Sequence, residues 1–187
     1  MSEGAPTWAH ERAEVHPYDQ QWAARASTER ERLTELLGPW LMADIEHVGS
    51  TAIPGLAAKP IIDLAATVAD SDAVAAQAAE DLAADGWHYV PPDLDGRTWR
   101  RFFVKPDTSG QHRKAHLHLI ETDHPRWSEQ IAFRDALRRD QVLARRYEDL
   151  KRQLADQYGN DREAYTNGKA AFVASVLESS RHPGSTD

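Results

Sequence analysis

The sequence contains no cysteine, which excludes disulfides and thiolate metal ligands at once. It also lacks any run approaching the roughly 18 apolar residues that a membrane span needs, so no membrane association is expected. The N-terminus Met1-Ser2-Glu3-Gly4-Ala5-Pro6 has no basic region followed by an apolar one, so a secretory signal is not expected and the expected location is cytoplasmic. A cationic surface is missing too: the formal net charge is -8. Nucleic-acid affinity rests largely on Lys and Arg replacing phosphate counterions, so no nucleic-acid partner is expected. The six tryptophans, at positions 8, 22, 40, 87, 99 and 127, have no basic residues interleaved and read as packing groups rather than a base-stacking platform.

What is present is the composition of an ordinary globular protein, 41% hydrophobic and 28% charged over 187 residues, enough for one domain and short for two. The charge is uneven. Residues 1–124 hold 11 Lys and Arg against 20 Asp and Glu, whereas residues 125–187 hold 11 against 10, which leaves room for a local site for a small anion. Residues 1–20 read as an N-terminal arm, 21–178 as the domain and 179–187 as a flexible tail.

Within the domain, residues 21–37 carry Trp22, Ala26, Leu33, Leu36 and Leu37 on a broken helical stripe that ends at Gly38-Pro39. Residues 45–48 and 60–68 read as strands; in the second, Asp63 shares a face with Ile61, Ala65 and Thr67. Ser71 is a plausible cap for a helix through Val74, Ala75, Ala78 and Leu82, which Gly86 ends. Residues 87–90, 98–104 and 115–120 follow as strands. Pro125 suits a first helical turn, and Leu143, Tyr147, Leu150 and Leu154 recur at spacings of 4, 3 and 4. Asp161 can cap a last helix that turns Tyr165, Phe172, Val173 and Val176 inward. The predicted architecture is α+β (mixed α/β): a mixed sheet with flanking helices and a helical C-terminal region.

The segment from His47 to Asp63 has the most unusual chemistry. A strand stops at Gly49, where a missing Cβ lets backbone approach a ligand, and Ser50 and Thr51 follow with hydroxyls. Such a turn can present N–H groups and hydroxyls to a phosphate; equally, it can be a plain turn with a Ser cap. Asp63 lies mid-strand, where an acid is disfavoured unless it is paired or holds a cation. His116 and His118 alternate along a strand and can address one centre, either as metal ligands or acid/base groups, or as a solvated residue beside a hydrogen-bonded one. Lys169, four residues after Tyr165, either reaches a phosphate or carboxylate or lays its stem over apolar surface. Of Arg100 and Arg101, one points inward, as an anion fork or a structural ion pair. Lys59 stands at the strand entrance near the turn, while Arg134, Arg138, Lys151 and Arg152 read as solvated helix faces.

The stretches Gly49-Ser50-Thr51-Ala52-Ile53-Pro54-Gly55-Leu56 and Lys59-Pro60-Ile61-Ile62-Asp63 together resemble the signature of the GrpB-like (glutamate-rich protein B) family. Arg101-Phe102-Phe103, His116-Leu117-His118, Phe133-Arg134-Asp135 and Tyr165 with Lys169 and Phe172 extend the resemblance over roughly residues 15–178. That family is in turn similar to the polymerase-β-like nucleotidyltransferases, which hold a nucleoside triphosphate against a Gly-Ser turn and bind Mg²⁺ with strand carboxylates. The resemblance implies a nucleotidyltransferase-like fold. The superfamily resemblance, and not the family resemblance alone, implies an enzyme that transfers a nucleotidyl group to a small molecule or activates it, with a nucleoside triphosphate as co-substrate.

In that reading Gly49, Ser50, Thr51, Lys59, Arg101 and Lys169 hold substrate or phosphate, and Asp63, His118 and His47 are catalytic. The departure is at position 65, where the superfamily has a second acid and this chain has alanine. His116 and His118 are the candidate replacements, giving a divalent site of Asp63, His116 and His118 for Mg²⁺, Mn²⁺ or Zn²⁺; imidazoles favour the last two. The alternatives are an ATP-dependent ligase for a small molecule and a non-catalytic protein that binds a nucleotide or small anion.

Overall fold

In the computed structural model, which describes residues 6–12 and 14–181, two apolar runs lie side by side in parallel at the centre of a five-stranded sheet. They are β2 (Ile62–Val68) and β5 (Arg113–Glu121). The order is β1-β2-β5-β4-β3, with β1 at Glu46–Val48, β3 at His88–Val90 and β4 at Arg101–Pro106, and the other three pairings are antiparallel. Central strands buried on both faces read as near-continuous hydrophobic runs, and β2 does so except at Asp63. This is the single mixed α+β domain expected from the hydrophobic periods.

One face of the sheet carries the main core. Ile62, Leu64, Ala66 and Val68 of β2 and Ala115, Leu117 and Leu119 of β5 pack against helix α1 (Gln21–Leu37) through Trp22, Ala26, Leu33 and Leu37. Helices α2 (Ser71–Gln77) and α3 (Ala79–Ala84) cover the rest of that face through Val74, Ala75, Ala78 and Leu82. Each such leucine contributes about 2 kcal/mol by leaving water.

The opposite face presents Asp63, Ala65, His116, His118 and Phe102. The C-terminal helices stand beside it: α5 (Pro125–Arg139), α6 (Gln141–Tyr158), α7 (Arg162–Asn167) and α8 (Ala170–Arg181). A second cluster of Ile53, Leu56, Leu137, Tyr147 and Val176 ties these helices to the loop between β1 and β2. Among the described residues no helix is long and apolar enough to cross a membrane.

Several local expectations are corrected. Asp70, not Ser71, caps α2, its carboxylate accepting from the Ala73 N–H at 2.9 Å, while the Ser71 hydroxyl donates to Glu121. The expected single helix after it is broken at Ala78 into α2 and α3. Pro92–Asp95, expected as a connecting loop, forms one helical turn, α4. The expected last helix is likewise two: Asp161 caps α7, and α8 follows after Gly168 and Lys169 and runs through Arg181. The rest of the expected tail lies outside the described residues. The described part of the N-terminal stretch is tied to the domain at two points: Trp8 is buried against Phe102 and Val104, and the His16 backbone pairs with Ala58.

Burial of polar groups on the α1 side is compensated by charge. Glu29 of α1, 4% exposed, accepts from Lys105 at 2.9 Å and Lys114 at 2.7 Å, and Lys105 also reaches Asp85 at 2.9 Å. Removing one member of a buried pair leaves the other desolvated and uncompensated. Glu29→Ala is therefore expected to lower the unfolding free energy by about 3 kcal/mol, read as a lower urea midpoint at unchanged slope. A loss within about 0.5 kcal/mol would show that the network is solvated and of little weight.

Candidate functional site

The site is built at the open end of β1, where the chain must pass β2 closely. Val48 pairs with Asp63, so the next residue, Gly49, runs directly over the Asp63 side chain. A Cβ at position 49 would stand 2.5 Å from Asp63 Oδ2, and Gly49 has φ 71° and ψ -171°, a conformation essentially restricted to glycine. Residues Ser50–Ala52 then form one 3-10 turn.

Beyond this turn a cleft of about 240 Å³ opens between the sheet and the C-terminal helices. It is lined by Gly49, Ser50 and Asp63 on one side. Arg126, Glu129, Gln130 and Phe133 of α5, Tyr147 of α6, Lys169, and Val173 and Leu177 of α8 line the other. The Ser50 side chain is hydrogen-bonded to the Tyr147 phenol, whose ionisation is pushed above the usual tyrosine range by burial. Tyr147 is stacked on Phe172 and edge-on to Phe133, giving the cleft a rigid aromatic wall.

Behind Asp63 stand the two histidines. The parallel register sets Asp63 opposite His116 and Ala65 opposite His118. His116 Nδ1 lies 2.9 Å and His118 Nε2 3.4 Å from the same oxygen, Asp63 Oδ1. Burial alone would raise the Asp63 carboxyl, but the hydrogen bonds from His116 and His118 outweigh it and hold it well below the usual carboxylate range. Asp63 is therefore a fixed anion. His118 moves the other way, down to about 4, chiefly through burial and then the nearby Arg100 charge, so it is neutral at physiological pH. Trp99 lies parallel to the His118 ring at 6.2 Å.

By distance alone, Asp63, His116 and His118 form a possible metal triad, with one ligand atom from each within 4.8 Å of the others. The donor chemistry fits less well. The Arg100 guanidinium is hydrogen-bonded to His118 Nδ1, and a guanidinium only donates. Nδ1 must accept, so the imidazole proton sits on Nε2, facing Asp63. A ligating histidine instead needs its lone pair there, with the other nitrogen donating to an acceptor. As arranged, the three residues do not fit a three-ligand centre. Two residues on from Asp63, Ala65 offers no carboxylate, and Glu46, the strand acid paired opposite Ala65, is held by Arg134 at 2.5 Å.

Of the residues expected at the site, the structure brings Gly49, Ser50, Asp63 and Lys169 to one cleft and sets His116 and His118 directly behind Asp63. The others lie elsewhere. His47 is paired with Leu64, on the α1 face of the sheet, and its Nε2 bonds the Thr51 hydroxyl at 3.0 Å. Thr51, buried, donates a hydrogen bond to the Ile61 carbonyl at 3.1 Å, so it pins the turn rather than facing a ligand. Arg101 is the arginine of the pair that points away, forking onto Asp72 of α2, and Arg100 is the inward one. Lys59 stands 4.1 Å over the Tyr165 ring and Lys169 4.5 Å over the same ring, but Lys59 does not line the cleft.

Two helix cations expected in solvent are buried. Arg134, 8% exposed, joins Glu46 at 2.5 Å and the His47 carbonyl at 3.0 Å, latching α5 to β1. Lys151, 2% exposed, donates to the Ala57 carbonyl, and burial, followed by the charge of Lys169, lowers it to about 7. Arg138 and Arg152 do lie on exposed helix faces. The cleft residues of α5 and α6 were missed because Phe133 and Tyr147 sit in apolar stripes that read as core; only the phenol of Tyr147 offered a signal.

A mixed α+β domain with a polar cleft between a Gly-Ser turn, a strand aspartate and C-terminal helices is thus the class that fold and site define. The GrpB protein model matches residues 12–179, and the chain belongs to the GrpB family. It is 36% identical over 170 residues to the UPF0157 protein YqkA of Bacillus subtilis, covering 91% of this chain and 48% of that longer protein. The crystal structure of the conserved protein GrpB from Enterococcus faecalis superposes with a TM-score of 0.77 at 28% identity, over 89% of this chain and 96% of that one. The Cid1 poly(U) polymerase solved with Mg 3'-dATP bound gives a TM-score of 0.49 at 12% identity, over 82% of this chain and 49% of that one.

Two outcomes follow from this geometry. Gly49→Ala is expected to cost about 2 kcal/mol of stability or more, from the strained backbone and the clash with Asp63. Denaturant unfolding measures it, and a loss under about 0.5 kcal/mol would contradict the close approach. The second concerns pH. His47 is lowered from 6.5 to about 4, mainly by burial, as is His118. Between those values the unfolded chain binds more protons than the folded one, so stability rises with pH across the window and is fully present above about 6.5. His47→Gln, which keeps an N–H toward Thr51, is expected to flatten that dependence by about one proton; urea midpoints from about pH 4.5 to about pH 7 that run parallel in both proteins would contradict it.

Proposed function

We propose that the cleft binds a small phosphate-bearing molecule of the nucleotide class, its anionic group at Ser50 and Lys169 and a ring against the Phe133–Tyr147 wall. One observation carries this: a hydroxyl, a fixed carboxylate and a lysine from distant parts of the sequence line one cleft beside an aromatic surface. The cleft is smaller than the roughly 300–1,000 Å³ of most drug-sized ligand sites, so part of a nucleotide would extend beyond it. Asp63, anionic and at the mouth, accepts a hydroxyl or ammonium donor of the ligand.

A second reading is nucleotidyl transfer from a nucleoside triphosphate to a small molecule, or ATP-dependent ligation. It is favoured by the position of Asp63 beside the Gly49-Ser50 turn, the arrangement that the resemblance to the nucleotidyltransferase superfamily implies. It is disfavoured by Ala65, which takes the place of a second acid beside Asp63, and by the Arg134 ion pair that engages Glu46, the strand acid opposite Ala65.

Thermal protection by ATP and GTP, with EDTA and with Mg²⁺, tests the first reading. Protection is expected to survive EDTA, and Lys169→Ala to weaken it about tenfold, roughly 1.4 kcal/mol, at little change in the unliganded melting temperature. No protection by either nucleotide, or protection indifferent to Lys169→Ala, would refute it. Pyrophosphate release that requires Mg²⁺ would establish transfer, and release that further requires an added amine would establish ligation.

A further inference from the structure

Arg100 is a buried cation behind the cleft, held on several sides. It immediately precedes β4, is 8% exposed, and forks onto Asp95 with Nη2 to Oδ1 at 2.6 Å and Nε to Oδ2 at 2.8 Å. Its Cζ lies 3.8 Å from the centre of the Phe102 ring and 5.1 Å from that of Trp99. The remaining nitrogen, Nη1, is directed at His118 Nδ1. A guanidinium has five N–H donors, no acceptor, and no accessible deprotonated form. The fork fixes where its charge sits, and the aromatic rings fix its plane.

His118 has no freedom to answer otherwise. Its ring is parallel to Trp99, with an interplanar angle of 2°, and packs against Phe102 at 5.4 Å. A 180° flip of the ring would replace both nitrogens by carbons at their partners and lose the contacts to Arg100 and Asp63 together. The neutral ring therefore carries its one proton on Nε2 and gives it to Asp63 Oδ1. The same oxygen receives His116 Nδ1. Both donors fall on Oδ1, and Oδ2, under Gly49, is the oxygen left for the cleft.

We propose that Arg100 is a positioning residue that commits His118 to donate to Asp63. The cluster of Asp63, His116 and His118 is then a clamp that presents one carboxylate oxygen to a ligand's ammonium or hydroxyl group, and not a transition-metal centre. This goes beyond the choice of ligand and holds whether the cleft takes a nucleotide or another small molecule. It also names what guards the site against Zn²⁺: replacing the arginine by a side chain that donates nothing frees the Nε2 lone pair and completes the triad.

The test is calorimetric titration of the full chain with Zn²⁺ alone, in wild type, His118→Ala, Arg100→Met and the double variant. Wild type and His118→Ala are expected to bind Zn²⁺ equally weakly, within twofold. Arg100→Met is expected to bind at least tenfold more tightly, and the double variant to lose that gain. A tenfold loss in His118→Ala relative to wild type, or no gain in Arg100→Met, would overturn the proposal. Because Arg100→Met strands Asp95 with only Arg97 at 3.6 Å and can fail to fold, the tautomer is also read directly in wild type by nitrogen-15 spectra of the imidazoles. The Nε2–H form of His118 is expected, and the Nδ1–H form would overturn it.

Discussion

The close passage of Gly49 over Asp63 is the constraint on which the site depends. The antiparallel β1–β2 register brings the chain over the carboxylate, and only a residue without a Cβ and with free access to positive φ can make that passage. From there the turn carries Ser50 into the cleft, Thr51 into the interior, and Ile53 and Leu56 into the cluster that seats the C-terminal helices. One backbone conformation thus connects the strand acid to the wall that faces it.

Burying a carboxylate in a central strand carries a desolvation cost that must be offset by donors. Here the parallel neighbour supplies them, two imidazoles at alternate positions, and a buried arginine fixes the proton of the second. Arg134 and Lys151 follow the same pattern farther out: each spends its charge on backbone carbonyls or a carboxylate at a joint between the sheet and the helices. The polar interior of this domain is a set of such joints.

Much of the fold was legible because the longer helices and the central strands have apolar faces of the right period, and β2 reads as a near-continuous run of small and apolar residues. Asp63 stood out as the one charge in such a strand, and the glycine before two hydroxyls marked the turn. The histidine pair was legible as a pair, since residues two apart share a face of any strand. The cleft's far wall was not: Phe133 and Tyr147 have the same spacing as core residues, and their exposure to a cavity is a property of how helices α5 and α6 meet the sheet. Nor was the division between Arg100 and Arg101, which turns on a register fixed only when β4 pairs with β5.

The sequence by itself determined the single α+β domain, the family, the glycine turn and the acid that faces it, because periodicity, conformational freedom and the cost of a buried charge are local properties. Tertiary structure alone decided which cations are buried, that His47 and Thr51 brace the turn instead of facing a ligand, and that Arg100 governs the proton on His118. Those outcomes depend on distances between residues far apart in the chain, and hydrogen-bond direction is set by the partner that packing brings within reach, not by the residue that carries it.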